Sequence, residues 1–190
     1  MRAILLLMLL TSVLPALPAL AADEPWVAEA RSVAGAMPPK LLAVLTDAIA
    51  AGGPEGAIAV CREKAPQMAK VASEQSGWAI RRVSLRNRNP KAVPDAWEAE
   101  VLADFDRRAA AGADPTTLDR AETVVTDGKP MQRYLRALPT QTMCTACHGT
   151  PDELTPEVAA RLRELYPEDL AVGYILGQIR GAVALKRALP

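Results

Sequence analysis

The only histidine in this 190-residue chain stands directly behind a pair of cysteines, in the run Cys144-Thr145-Ala146-Cys147-His148. This run constrains the fold more than any other feature, because it is the attachment pattern for haem c. Two thiols three residues apart can tether a porphyrin edge through thioethers, and the adjacent imidazole then reaches the iron from one face. A pocket must therefore be built around residues 144–148, with residues 149–190 still to follow. The competing readings fit less well. A thioredoxin-like pair sits early, at the start of a helix after a strand, and this pair is late. A zinc site would need a second Cys/His pair, and one histidine excludes any multi-histidine site. The expected cofactor is one covalent haem c per chain, with Cys144 and Cys147 as tethers and His148 as proximal iron ligand. The other ring nitrogen is expected to donate to a backbone carbonyl, fixing the tautomer.

The N-terminus reads as a leader rather than as part of the fold. Arg2 is a minimal positive region, Ile4 to Leu10 is continuously apolar, and Pro15 and Pro18 interrupt the run before Ala19-Leu20-Ala21. That is the layout of a secretory signal peptide over residues 1–21. A membrane anchor would need roughly 20 uninterrupted apolar residues. The expected organisation is a signal peptide, 1–21, and one haem-binding domain, 22–190. The expected location is the bacterial periplasm, with no transmembrane segment after cleavage, since no second long apolar run is evident. Lys+Arg and Asp+Glu are both 22, so no basic surplus exists to neutralise nucleic-acid phosphates or an anionic membrane. Aromatics are only 4 %, which argues against base-stacking platforms.

Export changes the meaning of the third cysteine, Cys61. In an oxidising compartment an unpaired cysteine is a free thiol, an intermolecular bridge or a ligand. No second histidine exists, so the sixth iron ligand must be Met, Cys, Lys, water or nothing. The candidates are Cys61 and Met37, Met68, Met131 and Met143. Around Cys61 the sequence is alanine-rich and reads as helix, with Pro66 a kink. Ile58, Cys61, Ala65, Met68 and Ala72 fall on one apolar face. Cys61 is the favoured sixth ligand and Met68 the runner-up. Thiolate ligation would stabilise the ferric state and lower the potential; Met/His ligation would raise it.

The remaining chain mixes helix and strand. Residues 26–36 and 40–51 read as helices separated by Pro38-Pro39, with Gly52-Gly53 ending the second and Pro54 opening the Cys61 helix. Residues 78–85 read as a strand and residues 87–90 as a loop. Asp95 caps a helix to about residue 111, with Trp97, Val101, Leu102 and Phe105 inward. Residues 122–126 and 131–138 form a hairpin around Asp127-Gly128. Residues 178–186 read as a last strand with Ile179, Gly181, Val183 and Leu185 on one face. A four-helix c-prime cytochrome would carry its motif closer to the C-terminus and have no sheet.

Several separated motifs together resemble a known family, the exported c-type haem domains with a PAS-like fold and Cys/His axial ligation. They are Ala59-Val60-Cys61 with Ala65-Pro66, Arg81 to Leu85, Arg88-Asn89-Pro90, Pro94 to Glu98, Cys144 to Gly149, Tyr166 to Asp169, Gly173-Tyr174 and Gly177 to Gly181. The resemblance spans most of residues 22–190. It implies an α+β fold, an antiparallel sheet flanked by helices, with His148 as fifth ligand and Cys61 as sixth. It also implies a redox or small-molecule sensor. Lys91-Ala92-Val93 departs from the family pattern after Asn89-Pro90, where a small polar residue, usually Asn, is common.

Arg81, Arg82, Arg86 and Arg88 form a basic cluster. Guanidinium forks suit carboxylates, so Arg82 or Arg88 is expected at the haem propionates. The leading functional expectation is a redox- or ligand-responsive haem protein that passes its signal to a separate protein partner. The alternative is a periplasmic electron carrier with Met/His or c-prime-like ligation. An enzyme such as a peroxidase ranks last, because no distal histidine is available for acid–base work.

Overall fold

Glycine, rather than proline, decides the shape of the N-terminal region. The computed structural model describes residues 24–189, so the signal-peptide reading of residues 1–21 lies outside the described residues. Helix α1 spans Pro25–Ser76 and carries Pro38, Pro39, Pro54 and Pro66 inside it. The expected interruption at Pro38-Pro39 does not occur. The backbone keeps helical angles through both prolines. The break expected at Gly52-Gly53 is present, at Gly52 (φ −145°, ψ 22°) and Gly53 (φ 70°, ψ 176°). Only glycine adopts the second conformation readily, and Pro54 then suits the start of the second arm.

The two arms fold back on each other. Trp78, just past α1, donates its indole N–H to Glu29 Oε1 at 2.9 Å across 49 residues. A straight helix would place those positions roughly 74 Å apart. By length and hydropathy α1 is also apolar enough to cross a membrane, a feature the sequence reading did not anticipate. In this fold its ends pack on a sheet.

That sheet has four antiparallel strands in the order β1-β4-β3-β2: β1 (Ala79–Val83), β2 (Asp119–Thr126), β3 (Lys129–Pro139) and β4 (Ile179–Ala188). The architecture is α+β. Asp127 (φ 52°) and Gly128 (φ 73°) close the β2–β3 hairpin in the left-handed region, as their residue types require. Alternation divides the core in two. Val83, Leu135, Ala137, Ala182 and Ala184 face helix α2 (Ala96–Ala110), meeting Val101, Leu102 and Phe105. Tyr134, Val183 and Leu185 face the first arm of α1, meeting Ala30, Ala34 and Trp78.

Helix α2 is anchored by a buried carboxylate. Asp95 caps it, accepting from Glu98 N–H at 3.0 Å, and Glu98 returns the bond to Asp95 N–H at 2.9 Å. Glu98 is 2 % exposed and also pairs with Arg81, and with Arg133 at 3.4 Å. Breaking a buried ion pair from one side leaves an uncompensated charge and costs about 3 kcal/mol or more. Glu98→Ala is therefore expected to lower the thermal midpoint by roughly 6–12 °C for a domain of this size. A shift under 2 °C in a thermal melt would show that Asp95 alone holds both arginines.

Strand β4 departs from the expected single apolar face. Ala137 pairs with Ala182 but Pro139 pairs with Ile179, so one residue of β3, Leu138, opposes two of β4, Arg180 and Gly181. This is a β-bulge, and Gly181 at φ 139° carries it. An added Cβ there would collide with the Val83 carbonyl oxygen. Ile179 consequently sits in the α2-facing core rather than with Val183 and Leu185. Two further helices went unread in the sequence, α3 (Thr142–His148) and α4 (Pro156–Leu165). The second begins with a cap, Thr155 accepting from Val158 N–H, followed by Pro156 at the first position.

Candidate functional site

Helix α3 is seven residues long and contains the whole Cys144-to-His148 run. Helical geometry brings residues at i, i+3 and i+4 to one face, so Cys144, Cys147 and His148 project together. Gly149 ends the helix and is buried, its N–H bonded to Thr145 O at 2.8 Å. A Cβ at that position would lie 2.6 Å from both Thr145 O and Glu153 Oε2. The glycine is needed for this close approach.

His148 has a hydrogen-bond partner at each ring nitrogen. Nδ1–H donates to the Ala171 carbonyl at 2.7 Å, and a carbonyl can only accept. Nε2 therefore carries the lone pair, and an Arg180 guanidinium N–H donates to it at 3.3 Å. Burial, with Arg180 next in effect and then Arg88, pushes the imidazole well below its usual range, so it is neutral at pH 7. A neutral imidazole with a free Nε2 lone pair is the metal-ligating form. The Tyr174 ring meets His148 edge-on at 6.4 Å between centroids, and Tyr174 N–H donates to the His148 carbonyl at 2.9 Å.

The second arm of α1 packs against helices α3 and α4. Ile58 on that arm packs with Val158 and Leu162 of α4, and Cys147, Leu154 and Tyr166 join the cluster. The Cys147 thiol lies 3.8 Å from the Pro54 carbonyl. Cys61 is one turn further along and half-buried, on the same neighbourhood of charges as His148. Burial pushes its thiol up, while Arg180, Arg82 and Arg88 pull it down and Cys144 opposes them. All three cysteines are free thiols. Met68, two turns beyond Cys61 and about 10 Å along the axis, is half-buried on α1.

The four arginines of the basic cluster separate by role. Arg81 pairs with Glu98 on the α2 side of the sheet. Arg86 donates to the Leu170 and Val172 carbonyls and stacks on Tyr174 at 4.0 Å. Arg88 pairs with Asp169 at 2.9 Å, both largely buried, and donates to the carbonyls of Cys147 at 2.6 Å and Ala171 at 3.2 Å. Arg88 thus clamps α3 to the loop that receives His148, and its carboxylate partner is Asp169. Arg82 lies on the α1 side and, among the described residues, has no hydrogen-bond or carboxylate partner. Burial, and then the neighbouring Arg180, push it down to about 9. Arg180 was visible in the sequence only inside a longer motif. Its signal was a lone charge beside apolar strand positions, and the bulge at Gly181 is what turns it toward His148.

The chain can now be compared with known proteins. The Tll0287-like family model matches residues 18–187. The chain belongs to the Tll0287-like family. No curated protein matches it. Among solved structures, the crystal structure of the cyanobacterial heme-protein Tll0287 matches at a TM-score of 0.65 and 24 % identity, over 89 % of this chain and 97 % of that one. At that identity the likeness shows the fold, and it extends over nearly the whole family member. Residues 144–148, Cys61 and Arg180 all fall inside the span of the family match.

Proposed function

We propose that this Tll0287-like protein is an exported haem protein holding one covalent haem c, with Cys144 and Cys147 as thioether tethers, His148 as proximal ligand and Cys61 as distal ligand. The observation that carries the reading is the seven-residue helix α3, with its two free thiols and a neutral imidazole, next to a Cys61 thiol that feels the same arginines as His148. Membership of a family whose solved neighbour is titled a heme-protein supports it. The donor set fits the group: two thiols on adjacent turns, a preset imidazole and a soft sulfur ligand.

When bound, haem supplies a one-electron iron centre. The chain's own residues set its surroundings. Ala171 fixes the ring and tautomer of His148, and Arg88 with Asp169 fixes the loop carrying Ala171. Cys61 offers an anionic ligand that can be oxidised, protonated or displaced, which suits a redox- or ligand-responsive protein of PAS-like fold in the periplasm. Such a protein signals to, or exchanges electrons with, a separate protein partner and performs no substrate turnover.

The test is expression in a bacterium able to mature c-type cytochromes. Wild-type chain should keep its haem through a denaturing gel, with about one haem per chain by the pyridine haemochrome spectrum. Cys144→Ser with Cys147→Ser should reduce the retained haem to background. A chain that comes out of the same host without covalent haem would end this reading.

A further inference from the structure

We propose that Arg82 and Arg180 form a buried site for a paired anion, and that its occupant is the propionate edge of the haem. The occupant rests on the haem reading above; the anion site does not.

The argument starts from what other arginines do. Arg31, Arg81, Arg88, Arg133 and Arg187 each face a carboxylate. Arg82 and Arg180 lie on neighbouring strands on the α1 side of the sheet, close enough for their charges to act on each other, and among the described residues neither has a carboxylate. Arg180 Nε is buried with no hydrogen-bond partner at all. Its remaining polar contact is with His148 Nε2, the nitrogen the iron ligand role requires. Two guanidiniums sharing a half-buried corner repel, and a guanidinium does not relieve this by losing its proton. Burial, and then Arg180, press Arg82 in the same direction. Relief comes from two negative charges with acceptor oxygens, and paired carboxylates or a phosphate-class dianion supply them.

The fold places this pair with care. Arg82 shares its strand face with Ile80, on the α1 side. Arg180 would lie on the α2 side, with Ala182 and Ala184, if β4 were regular. The bulge at Gly181 transfers it to the α1 side, beside Arg82 and His148. The sequence expectation of Arg82 or Arg88 at the propionates is therefore replaced by Arg82 with Arg180, while Arg88 keeps Asp169.

The test uses the full chain with Cys144→Ser and Cys147→Ser, which cannot attach haem, titrated by fluorescence with metal-free mesoporphyrin IX and with its dimethyl ester. Without iron, only the propionates distinguish the two probes. Charge-assisted hydrogen bonds predict that the free acid binds at least about tenfold tighter than the ester. Adding R82Q and R180Q should bring the two within about twofold, and the lysine pair should recover part of the preference. Adding R88Q should lower the melting temperature yet keep the preference, since Arg88 holds a loop and not the anion. Equal binding of acid and ester by the parent, or a preference that survives R82Q/R180Q, overturns the propionate assignment. Haem attachment to the wild-type chain is scored separately, so loss of the haem reading is recognised on its own. In that event inorganic pyrophosphate replaces the porphyrins. A rise in melting temperature that vanishes in R82Q/R180Q supports the anion site with a free dianion as its source, and no rise overturns the site.

Discussion

Cys61→Ala is expected to leave the haem covalently attached and to erase the low-spin thiolate signal from the ferric electron-paramagnetic resonance spectrum. The midpoint potential should rise by on the order of 0.2 V, a fraction of the roughly 0.8 V range that axial ligands command. The sign follows from charge. A thiolate donates electron density and stabilises ferric iron, and alanine donates none. The reduced variant should also bind carbon monoxide without first displacing a ligand. A ferric spectrum unchanged by the substitution would return Cys61 to the role of a small half-buried hydrophobe. It would also direct attention to Met68, although Met68 lies about 10 Å further along the helix. Met68→Leu is the matching control, and under the Cys/His reading it should leave the spectrum as it is.

Gly181→Ala is expected to be the most damaging single-methyl change in the protein. Two penalties add. The residue sits at φ 139°, where an L side chain is strained, and the new Cβ would collide with the Val83 carbonyl oxygen of the neighbouring strand. Strain and overpacking are each worth about 1–3 kcal/mol. Together they should lower the thermal midpoint by roughly 5–15 °C. Gly112→Ala is the comparison: its φ is also positive, at 94°, but nothing lies within 4 Å of an added Cβ. Its loss should be about 1 kcal/mol. If both variants melt alike, the collision is relieved by strand movement and only the backbone strain counts.

Local signals in the sequence carried much of this fold. Asp95 was legible as a helix cap, and the structure has it there, extended by Glu98 into a capping box. Asp127-Gly128 spelled a hairpin turn between two runs rich in β-branched and apolar residues, and both residues take positive φ. Of the two breaks expected in this region, the one at Gly52-Gly53 is present and the one at Pro38-Pro39 is not. Proline removes a donor yet keeps a helical φ, whereas Gly53 takes a backbone conformation that ends the arm. The helices at 142–148 and 156–165 were missed because both are short, and tertiary contacts with Ile58 and the 169–171 loop hold them.

The site was legible as chemistry and illegible as geometry. Cys144, Cys147 and His148 announced themselves by spacing, and Cys61 by being an unpaired thiol. Arg180 did not, because a strict two-residue period assigned it to the wrong side of the sheet. Nothing in residues 178–186 states that Gly181 is bulged; that depends on β3 lying opposite. Arg82 and Arg88 look equivalent in sequence. Asp169, eighty-one positions downstream of Arg88, is what tells them apart.

The bulge in β4 has a consequence for how this protein can change over evolutionary time. It acts as a parity switch: residues from Ala182 onward keep one phase, and those before Gly181 keep the other. Deleting Gly181 would remove the extra residue and restore a regular strand, with Ile179 still on the α2 side and Arg180 still on the α1 side, so both apolar layers stay in register. Only the local twist and the reach of the Arg180 guanidinium would change, without a hydrophobic residue being exchanged. A deletion, which ordinarily destroys a central strand, therefore becomes at this one position a route to a retuned but still folded descendant.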